Sequence, residues 1–373
     1  QLWCGHRLGV GRRGARGHHG VIRHHASWDF NGFWAWDSWK HAVALAPFAP
    51  ELAREQLRAM FASQDEHGMI ADCVFADPAE DNRRDTKPPL AAWAVNAVYE
   101  STDDLSVLEE FREPLERYHR WWAEHRDHDG NGLCEYGSTD GTPEAARWES
   151  GMDNAARFDD VEMVRNGETA WSMTVESVDL NSYLYAEKIV LAEMDDRLGN
   201  PERAGLLRVE ADRLGESIRR EMYDPASGFF HDIELESKRR IDAAGPEGWI
   251  PLWAGVATRE QAATSVDVMT SPDRFGTFVP FPTLDRAHPE FSLGYWRGTV
   301  WMDQAWFAVR GLERYGHEDD AEIMTRRLLE HPEGLWGARG PIRENYDPIT
   351  GDGLNVTHFS WSAGHVLMLL SGR

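Results

Sequence analysis

Several features are scarce in this chain of 373 residues. Its three cysteines, Cys4, Cys73 and Cys134, are odd in number and widely spaced, so neither a disulfide framework nor a zinc site is expected. No apolar run approaches the roughly 20 residues that a membrane helix needs, so no membrane contact is expected. No Pro/Gly/Ser-rich linker and no signal segment is visible. We therefore expect one domain over residues 1–373, with a short N-terminal extension over 1–19, and the lack of a signal segment favours a cytoplasmic location.

Positive charge is scarce as well. The 39 basic residues, only four of them lysine, face 63 acidic ones, and the formal net charge is −24. Such a chain repels polyanions, so nucleic acid is not an expected partner. A G-x-G-x-x-G spacing at Gly9, Gly11 and Gly14 follows no apolar strand and opens no amphipathic helix. A dinucleotide site is therefore not expected, and no organic cofactor is predicted.

Helical periodicity covers most of the sequence. Strand signals are limited to GFFHDIELE at 228–236, which follows the turn-like DPASG. The predicted helices are 36–46, 50–63, 88–99, 105–125, 175–198, 201–221, 248–257, 259–269, 299–315, 319–330 and 361–370. The sequence thus predicts an all-α fold with at most a small β-hairpin.

Five loops rich in aromatic and charged residues run directly into predicted helices. They lie in GFWAWDSWKHAVALA, RRDTKPPLAAWAV, ESGMDNAARF, GYWRGTVWMDQAWFAV and NVTHFSWSAGHVLML. Paired helices wound into a ring present such loops at one end, where helix N-termini offer unpaired N–H groups. This pattern favours an α/α toroid with one functional face, and a generic helical bundle is the alternative. Many of the 17 tryptophans lie in turn-like contexts, where flat rings can stack on sugars.

The segment DHDGNGLCE, residues 127–135, resembles part of a calcium loop. Asp127, Asp129 and Asn131 occupy positions 1, 3 and 5, and Leu133 can offer its carbonyl at position 7. Position 12 is Ser138 instead of glutamate, so a carboxylate from elsewhere must complete the shell. A structural Ca²⁺ site is the prediction, and an Asx-rich turn between helices is the alternative.

Two acids are distinguished by their neighbours, Asp153 in SGMDN and Glu344 in ENYDP. A glycosidase needs one protonated carboxyl group and one ionised carboxylate. Gly151 permits close approach of backbone or substrate, and apolar Met152 favours a raised pKa for Asp153. Asn154 is expected to orient Asp153. In a chain with 63 acidic residues, a solvated surface group is the better interpretation of either acid taken alone.

Seven ordered motifs connect these features to a known family. WAWDSWK, TKPPLAAWAV, ESGMDN, ESVDLNSYLYAEK, YWRGTVWMDQ, ENYDPITG and HFSWSAGH together resemble the catalytic (α/α)6 barrel of glycoside hydrolase family 63, most closely its bacterial α-glucosidase branch. The similarity runs from about Gly20 to the C-terminus. It implies an O-glycosyl hydrolase with an inverting mechanism, which cleaves α-linked glucosides and releases β-glucose from a small carbohydrate substrate.

The resemblance also implies roles for individual residues. Asp153 is the implied general acid and Glu344 the implied general base. Glu176 is the implied carboxylate that completes the calcium shell. The residues implied to line the glucose subsite are Trp34, Trp36, Asp37, Lys87, Trp148, Glu149, Tyr295, Trp296, Arg297, Trp301 and His358.

The chain departs from the α-glucosidase branch in two respects. Relatives in that branch usually carry a β-sandwich domain and a long insertion over the active site, and this sequence has neither. Compact relatives with a bare barrel cleave glucosylglycerate or mannosylglycerate, so such a hydrolase is the first alternative. A sugar epimerase or isomerase that uses histidines such as His358 is a second alternative, and a silent carbohydrate-binding protein is a third.

Overall fold

The computed structural model describes residues 17–24, 31–336 and 339–372. Cys4, the Gly9, Gly11 and Gly14 spacing and most of the predicted N-terminal extension lie outside the described residues. Cys73 and Cys134 are buried, and neither forms a disulfide within the described residues. Over the described ranges, no helix combines the length and hydropathy that crossing a bilayer requires.

Twelve α-helices lie within the described residues, of which 49% are helical when the short 3-10 and π turns are included. They are α1 (Ala35–Leu45), α2 (Pro50–Phe61), α3 (Ala91–Thr102), α4 (Leu105–His125), α5 (Pro143–Ser150), α6 (Val178–Arg197), α7 (Pro201–Ser217), α8 (Ile250–Ala254), α9 (Arg259–Thr270), α10 (Met302–Arg314), α11 (Glu318–Glu330) and α12 (Ser360–Ser371). Eleven correspond to predicted helices, and α5 is the one that the periodicity did not indicate.

Ten short strands accompany the helices. They are β1 (Phe33–Trp34), β2 (Cys73–Val74), β3 (Glu135–Ser138), β4 (Met163–Arg165), β5 (Trp171–Glu176), β6 (Tyr223–Asp224), β7 (Phe229–Phe230), β8 (Ile233–Glu234), β9 (Arg343–Tyr346) and β10 (Gly353–Thr357). The predicted hairpin is present as antiparallel β6 and β7. Strand β8, which follows this hairpin, pairs with β5 in a four-stranded sheet. That sheet and the pairs β1–β2 and β9–β10 were not predicted. Six of these ten strands have only two or three residues, too few to show an alternating pattern in the sequence.

The chain divides into two compact units whose segments alternate along the sequence. The first comprises the chain up to Gly151, Met163–Met173 and Tyr183–Arg213, and the second comprises Met152–Glu162, Thr174–Ser182 and the chain from Leu214 onward. Neither unit is a continuous stretch, so the prediction of a single domain over 1–373 stays a prediction.

In the first unit, helices α1 to α4 pack on one another. Helix α1 contacts α2 and α3, and α3 contacts α4. Helix α4 begins where Asp104 accepts a hydrogen bond from the Ser106 amide, and it buries Trp121 and Trp122. Burial of such large rings contributes roughly 2–3 kcal/mol each, so these packed faces determine the helix positions.

In the second unit, α10 is the central helix. It contacts α8, α11 and α12, and ten of its thirteen residues are buried. Trp253 of α8 meets Phe307 of α10 edge to face, with ring centroids 4.8 Å apart. The antiparallel pair β9 and β10 leads directly into α12, which brings Glu344 and the start of α12 into one region.

Four of the five predicted loops do open helices, namely α1, α3, α10 and α12. The exception is ESGMDN, which begins with the last two residues of α5 and is followed by a single 3-10 turn at Ala156–Phe158. Thr142 caps the start of α5 and Pro143 is its first residue, while Gly151 ends it in the left-handed conformation. These cap residues are the sequence signal that predicts α5, and the interpretation of this loop as a helix entry was wrong.

Candidate active site

Gly151 shapes the turn that carries Asp153. Its φ is +75°, and a Cβ placed there would lie 2.3 Å from the indole ring of Trp36. Only glycine accepts both the left-handed backbone and this close approach. Asp153 follows two residues later and is half-buried, beside the fully buried Met152. The small residues around Asp153 therefore serve the turn and its packing.

Asn154 ties this turn to the loop of residues 294–297, sequence GYWR, which we call the YWR loop. The Asn154 amide donates to the Gly294 carbonyl at 2.8 Å, and the Trp296 N–H donates to the Asn154 side-chain oxygen at 2.9 Å. Arg297 donates to the Asn154 carbonyl at 3.3 Å and forms a bidentate pair with Asp159. The Asn154 side chain thus holds the YWR loop, and its expected role in orienting Asp153 stays a prediction.

Glu344 lies in β9 and is only 2% exposed. The Tyr295 hydroxyl donates to its Oε1 at 3.2 Å, and the Ser362 hydroxyl of α12 donates to its backbone carbonyl at 3.0 Å. Tyr295 belongs to the YWR loop and has a φ of +64°. The YWR loop therefore contacts both the residue next to Asp153 and Glu344 itself, within the second unit.

Aromatic rings surround this part of the second unit. Trp296 and Trp301 stack with centroids 4.0 Å apart and an interplanar angle of 6°. Tyr295 meets Trp301 edge to face at 5.0 Å, and Trp361 lies 5.5 Å from Trp301. The buried Nε1 of Trp301 has no hydrogen-bond partner among the described residues, so its N–H is available to a ligand or a water molecule. The two predicted stacking rings, Trp296 and Trp301, thus pack mainly on each other.

His358 takes an unusual backbone conformation at the end of β10. Its φ is +58°, its side chain is exposed, and its Nδ1 lies 3.1 Å from the Thr357 hydroxyl. Its amide donates to the Ile342 carbonyl at 2.6 Å, two residues before Glu344. A non-glycine residue at positive φ costs about 1–3 kcal/mol and is frequent at functional sites.

The other predicted subsite residues belong to the first unit, where Arg23 is a partner that the sequence did not indicate. Its guanidinium binds both carboxylate oxygens of the buried Asp37 at 2.6 Å and lies 4.3 Å from the ring centroid of Trp34. Lys40 lies 3.4 Å above the ring of Trp36. A cationic side chain therefore contacts each of Asp37, Trp34 and Trp36. The pairing of Arg23 with Asp37 could not be predicted from any periodic pattern in the sequence.

Lys87 is held by two buried carboxylates. Its Nζ lies 2.7 Å from Asp72 and 3.6 Å from Asp85, and it also donates to the Trp148 carbonyl. Burial and the negative charge of Asp72 raise the pKa of Asp85 well above its ordinary value. The positive charge of Lys87 partly neutralises the negative charge of Asp72 and Asp85. The Lys87 ammonium group is therefore already paired within the protein.

Glu149 has a complete set of protein partners. It is fully buried, binds Arg126 at 2.7 and 2.8 Å, and accepts the Gly137 amide at 2.7 Å and the Thr86 amide at 3.2 Å. A buried carboxylate with this many donors is a structural anchor. It fixes the end of α5, two residues before Gly151.

The predicted calcium loop also lies in the first unit. Gly130 and Gly132 have φ of +71° and +89°, and the Gly132 amide donates to Asp127 Oδ2 at 3.0 Å. Asp127 Oδ1 is buried without a hydrogen-bond partner among the described residues, and burial raises the pKa of this carboxyl. Carboxylate oxygens of Asp129 and of Glu135, which was not predicted, lie within 4.8 Å of each other. This donor set of hard oxygens fits Ca²⁺.

Asn131 and Glu176, the remaining side chains of the calcium prediction, have protein partners. The Asn131 side-chain oxygen accepts the Leu133 amide at 2.7 Å, and its amide donates to Asp129 at 2.9 Å. Glu176 ends β5 in the second unit, is fully buried and pairs with Lys238 at 2.6 Å.

Comparison with known proteins identifies the family. Residues 31–362 match the family model of the mannosylglycerate hydrolase MGH1-like glycoside hydrolase domain. A mannosylglycerate hydrolase from Rubrobacter radiotolerans is 25% identical, over 90% of this chain and 89% of that protein. A glucosylglycerate hydrolase from Mycolicibacterium hassiacum is 24% identical, over 90% of each chain.

The solved structures agree on the fold. A family 63 mannosylglycerate hydrolase from Thermus thermophilus in complex with glucose superposes with a TM-score of 0.78, at 24% identity and 95% coverage of both chains. The same enzyme in complex with Tris and D-glycerate superposes with a TM-score of 0.77, at 22% identity, over 94% of this chain and 96% of that one. The predicted (α/α)6 helical fold class is confirmed. The predicted activity, an O-glycosyl hydrolase, is confirmed too, whereas the names of these relatives favour glycosylglycerates over the expected α-glucosides.

Proposed function

Because the chain belongs to glycoside hydrolase family 63 through its mannosylglycerate hydrolase MGH1-like domain, we propose that it hydrolyses the α-glycosidic bond between a hexose and glycerate. The names of the relatives, which align with about nine-tenths of this chain, support that substrate class. The observation that carries the proposed chemistry is the YWR loop, which binds Asn154, the neighbour of Asp153, on one side and Glu344 on the other.

The proposed mechanism is a single displacement with inversion. Asp153 donates its proton to the glycosidic oxygen as the bond from that oxygen to C1 breaks, and glycerate leaves with its hydroxyl group restored. Glu344 takes a proton from a water molecule, whose oxygen bonds to C1 from the opposite face. The α-glycoside therefore yields the β-anomer of the free sugar, and the two carboxyl groups must stand about 6.5–9.5 Å apart to admit the water.

The protein groups around Glu344 suit the role of a base. The Tyr295 hydroxyl donates a hydrogen bond to the Glu344 carboxylate and orients it. The unpaired Nε1 of Trp301 offers one donor to a sugar hydroxyl. Contacts of the sugar with Asp37, Lys87 and Arg297 stay predictions, and the ion pairs of these residues keep their side chains preorganised.

A substrate panel tests the proposed specificity. Purified protein is incubated with mannosylglycerate, glucosylglycerate and a set of glucose disaccharides, and released monosaccharide is measured. We expect kcat/KM on one glycosylglycerate to exceed that on every disaccharide by at least about 100-fold, because polar groups that bind the glycerate carboxylate would be left unpaired by a disaccharide. Faster cleavage of an α-linked glucose disaccharide than of either glycosylglycerate would indicate an α-glucosidase instead. Interconversion of free sugars without hydrolysis would indicate an epimerase.

For the loop at residues 127–135 we propose a structural Ca²⁺ ion. Asp127, Asp129, Asn131 and the Leu133 carbonyl supply ligands, with Glu135 as an additional candidate and Glu176 as the predicted closing carboxylate. The ion supplies positive charge to Asp127, whose buried oxygen otherwise has no hydrogen-bond partner among the described residues. It takes no part in bond cleavage.

Calcium removal tests this site. We expect Ca²⁺ to raise the Tm of the wild-type protein measured in EGTA, because a ligand at 100 times its Kd stabilises the folded state by about 2.7 kcal/mol. Asp127→Asn should abolish the Ca²⁺-dependent shift, and Asp212→Asn, at an exposed position of α7, should keep it. A wild-type Tm that is the same in Ca²⁺ and EGTA contradicts the proposal.

A further inference from the structure

A buried charge cluster lies four residues beyond Asp153. The guanidinium of Arg157 binds Asp179 at 2.6 and 3.0 Å and Asp232 at 3.0 Å, and its Nε lies 3.9 Å from Glu247. All four side chains are at least 97% buried and belong to the second unit. None of the four residues was predicted as a site residue, although Asp179 lies in the motif ESVDLNSYLYAEK and Arg157 in the segment ESGMDNAARF.

The charges of this cluster do not balance if every carboxyl group is ionised. One guanidinium against three carboxylates leaves two uncompensated negative charges in a buried place, which is costly. Glu247 is the group that keeps a proton, because its contact with Arg157 is the longest and its Oε1 is buried without a hydrogen-bond partner among the described residues. Burial, together with the charges of Asp232 and Asp179, raises the pKa of Glu247 to about 8.

The cluster holds both ends of the turn that carries Asp153. Arg157 itself continues the turn, and one of its nitrogens lies 3.8 Å from the sulfur of Met152. The Ala155 amide also donates to the Met152 carbonyl at 3.0 Å. Asp232 in turn accepts the Val178 amide at 2.8 Å, at the start of α6. Asp153 therefore lies in a short loop whose two flanks are fixed to the same guanidinium.

We propose that Arg157 is a positioning residue for the general acid: Asp179, Asp232 and a neutral Glu247 anchor its guanidinium, and the anchored guanidinium fixes the direction of Asp153. This inference rests on the proposed role of Asp153. None of the four cluster residues needs to touch the substrate. The carboxylates act on catalysis only through the geometry of the turn between Met152 and Arg157.

The proposal has a pH consequence. The groups that face Glu247 are Arg157, Asp232 and Asp179, so its ionisation adds a third negative charge to the cluster. The folded state favours protonated Glu247, so its contribution to stability is full below the ordinary pKa of glutamate and is lost as the pH rises towards 8. Above that range the Arg157 anchor loosens, and the position of Asp153 loosens with it.

Leaving groups distinguish a displaced general acid from a damaged protein. Hydrolysis of a glycosylglycerate needs a proton on the departing oxygen. Fluoride, in contrast, leaves a glycosyl fluoride of the same sugar with little help from an acid. We expect Arg157→Lys to lower kcat on the glycosylglycerate about 10- to 100-fold, since a misplacement of about 1 Å has that effect. On the fluoride, kcat should fall less than about threefold. Arg112→Lys, at a buried arginine that pairs with Asp195 in the first unit, is the control and should lower both rates equally.

The outcomes separate this inference from the proposed function. An equal loss on both substrates in Arg157→Lys, while Asp153→Asn shows a leaving-group effect, overturns the positioning role alone. If Asp153→Asn shows no leaving-group effect, the proposed function and this inference both fail.

The Glu247→Gln variant provides a second test of the proposal, which does not require that Arg157→Lys folds. Its uncharged side chain imitates the protonated form at every pH. Its rate on the glycosylglycerate, divided by the wild-type rate at the same pH, should rise at least about threefold from pH 6.5 to pH 9, and the same ratio on the fluoride should stay constant. The division cancels every pH dependence that the two proteins share. A ratio on the glycosylglycerate that stays flat overturns the proposal.

Discussion

Replacing Asp153 with asparagine is expected to lower kcat on a glycosylglycerate by about 10²–10⁴-fold while the Kd for substrate stays within a few-fold. Asparagine keeps the shape of the side chain and its place after Gly151 and Met152, but it has no acidic proton for the departing oxygen. The loss should be much smaller on a glycosyl fluoride. Steady-state rates on the two substrates, with binding measured by calorimetry, give the comparison.

Asp160→Asn is the matched control for this variant. Asp160 is an exposed acid seven residues further along the same segment, so its replacement should change neither rate by more than about twofold. Full activity of Asp153→Asn on the glycosylglycerate would remove Asp153 from the mechanism.

Glu344→Gln is expected to lower kcat by about 10²–10⁴-fold on the glycosylglycerate and on the fluoride alike. Both substrates need an activated water, so a better leaving group cannot compensate for a lost base. Glutamine preserves the volume of this 2%-exposed side chain and can still accept the Tyr295 hydroxyl, so the fold should survive. Rates on both substrates, together with circular dichroism spectra, test this expectation.

Glu330→Gln, at the exposed end of α11, is the control and should retain wild-type rates. Recovery of the fluoride rate in Glu344→Gln to near the wild-type value would mean that Glu344 assists the leaving group instead of the water. The roles of the two acids would then be exchanged or shared.

The sequence predicted the helices where local signals were strong. Helix α4 has the predicted limits, Leu105–His125, because Asp104 caps it and its apolar stripe is continuous. Helix α5 is only eight residues long and carries two alanines, an arginine and two glutamates, so its periodicity is weak. Thr142 and Pro143 mark its start, and attention to caps instead of periodicity would have found it.

The candidate site was predictable where residues are neighbours in sequence and much less where they are distant. Nothing in a single sequence connects Arg23 with Asp37, or Arg126 with Glu149, because each pair closes a gap of 14 or 23 residues through the fold. Glu149 was predicted from the family resemblance to line the sugar subsite, and its partners indicate an anchoring role. Asn154 likewise serves the YWR loop, 140 residues away.

Charge compensation explains why the buried acids were hard to interpret. In a sequence, Asp179, Asp232 and Glu247 are three of 63 acidic residues. Only the fold places them around one arginine, where burial raises the pKa of Glu247 to about 8. A buried carboxyl group gains its role from its partners, and those partners are specified by tertiary packing.

The stereochemistry of the first product tests the central claim most directly. Hydrolysis of an α-glycosylglycerate is followed by proton NMR from the first seconds, before mutarotation equilibrates the anomers. If Asp153 and Glu344 act on opposite faces of C1 with one water between them, the β-anomer of the sugar accumulates first. Initial accumulation of the α-anomer would require a covalent intermediate on one of the two carboxylates, and it would contradict the single displacement.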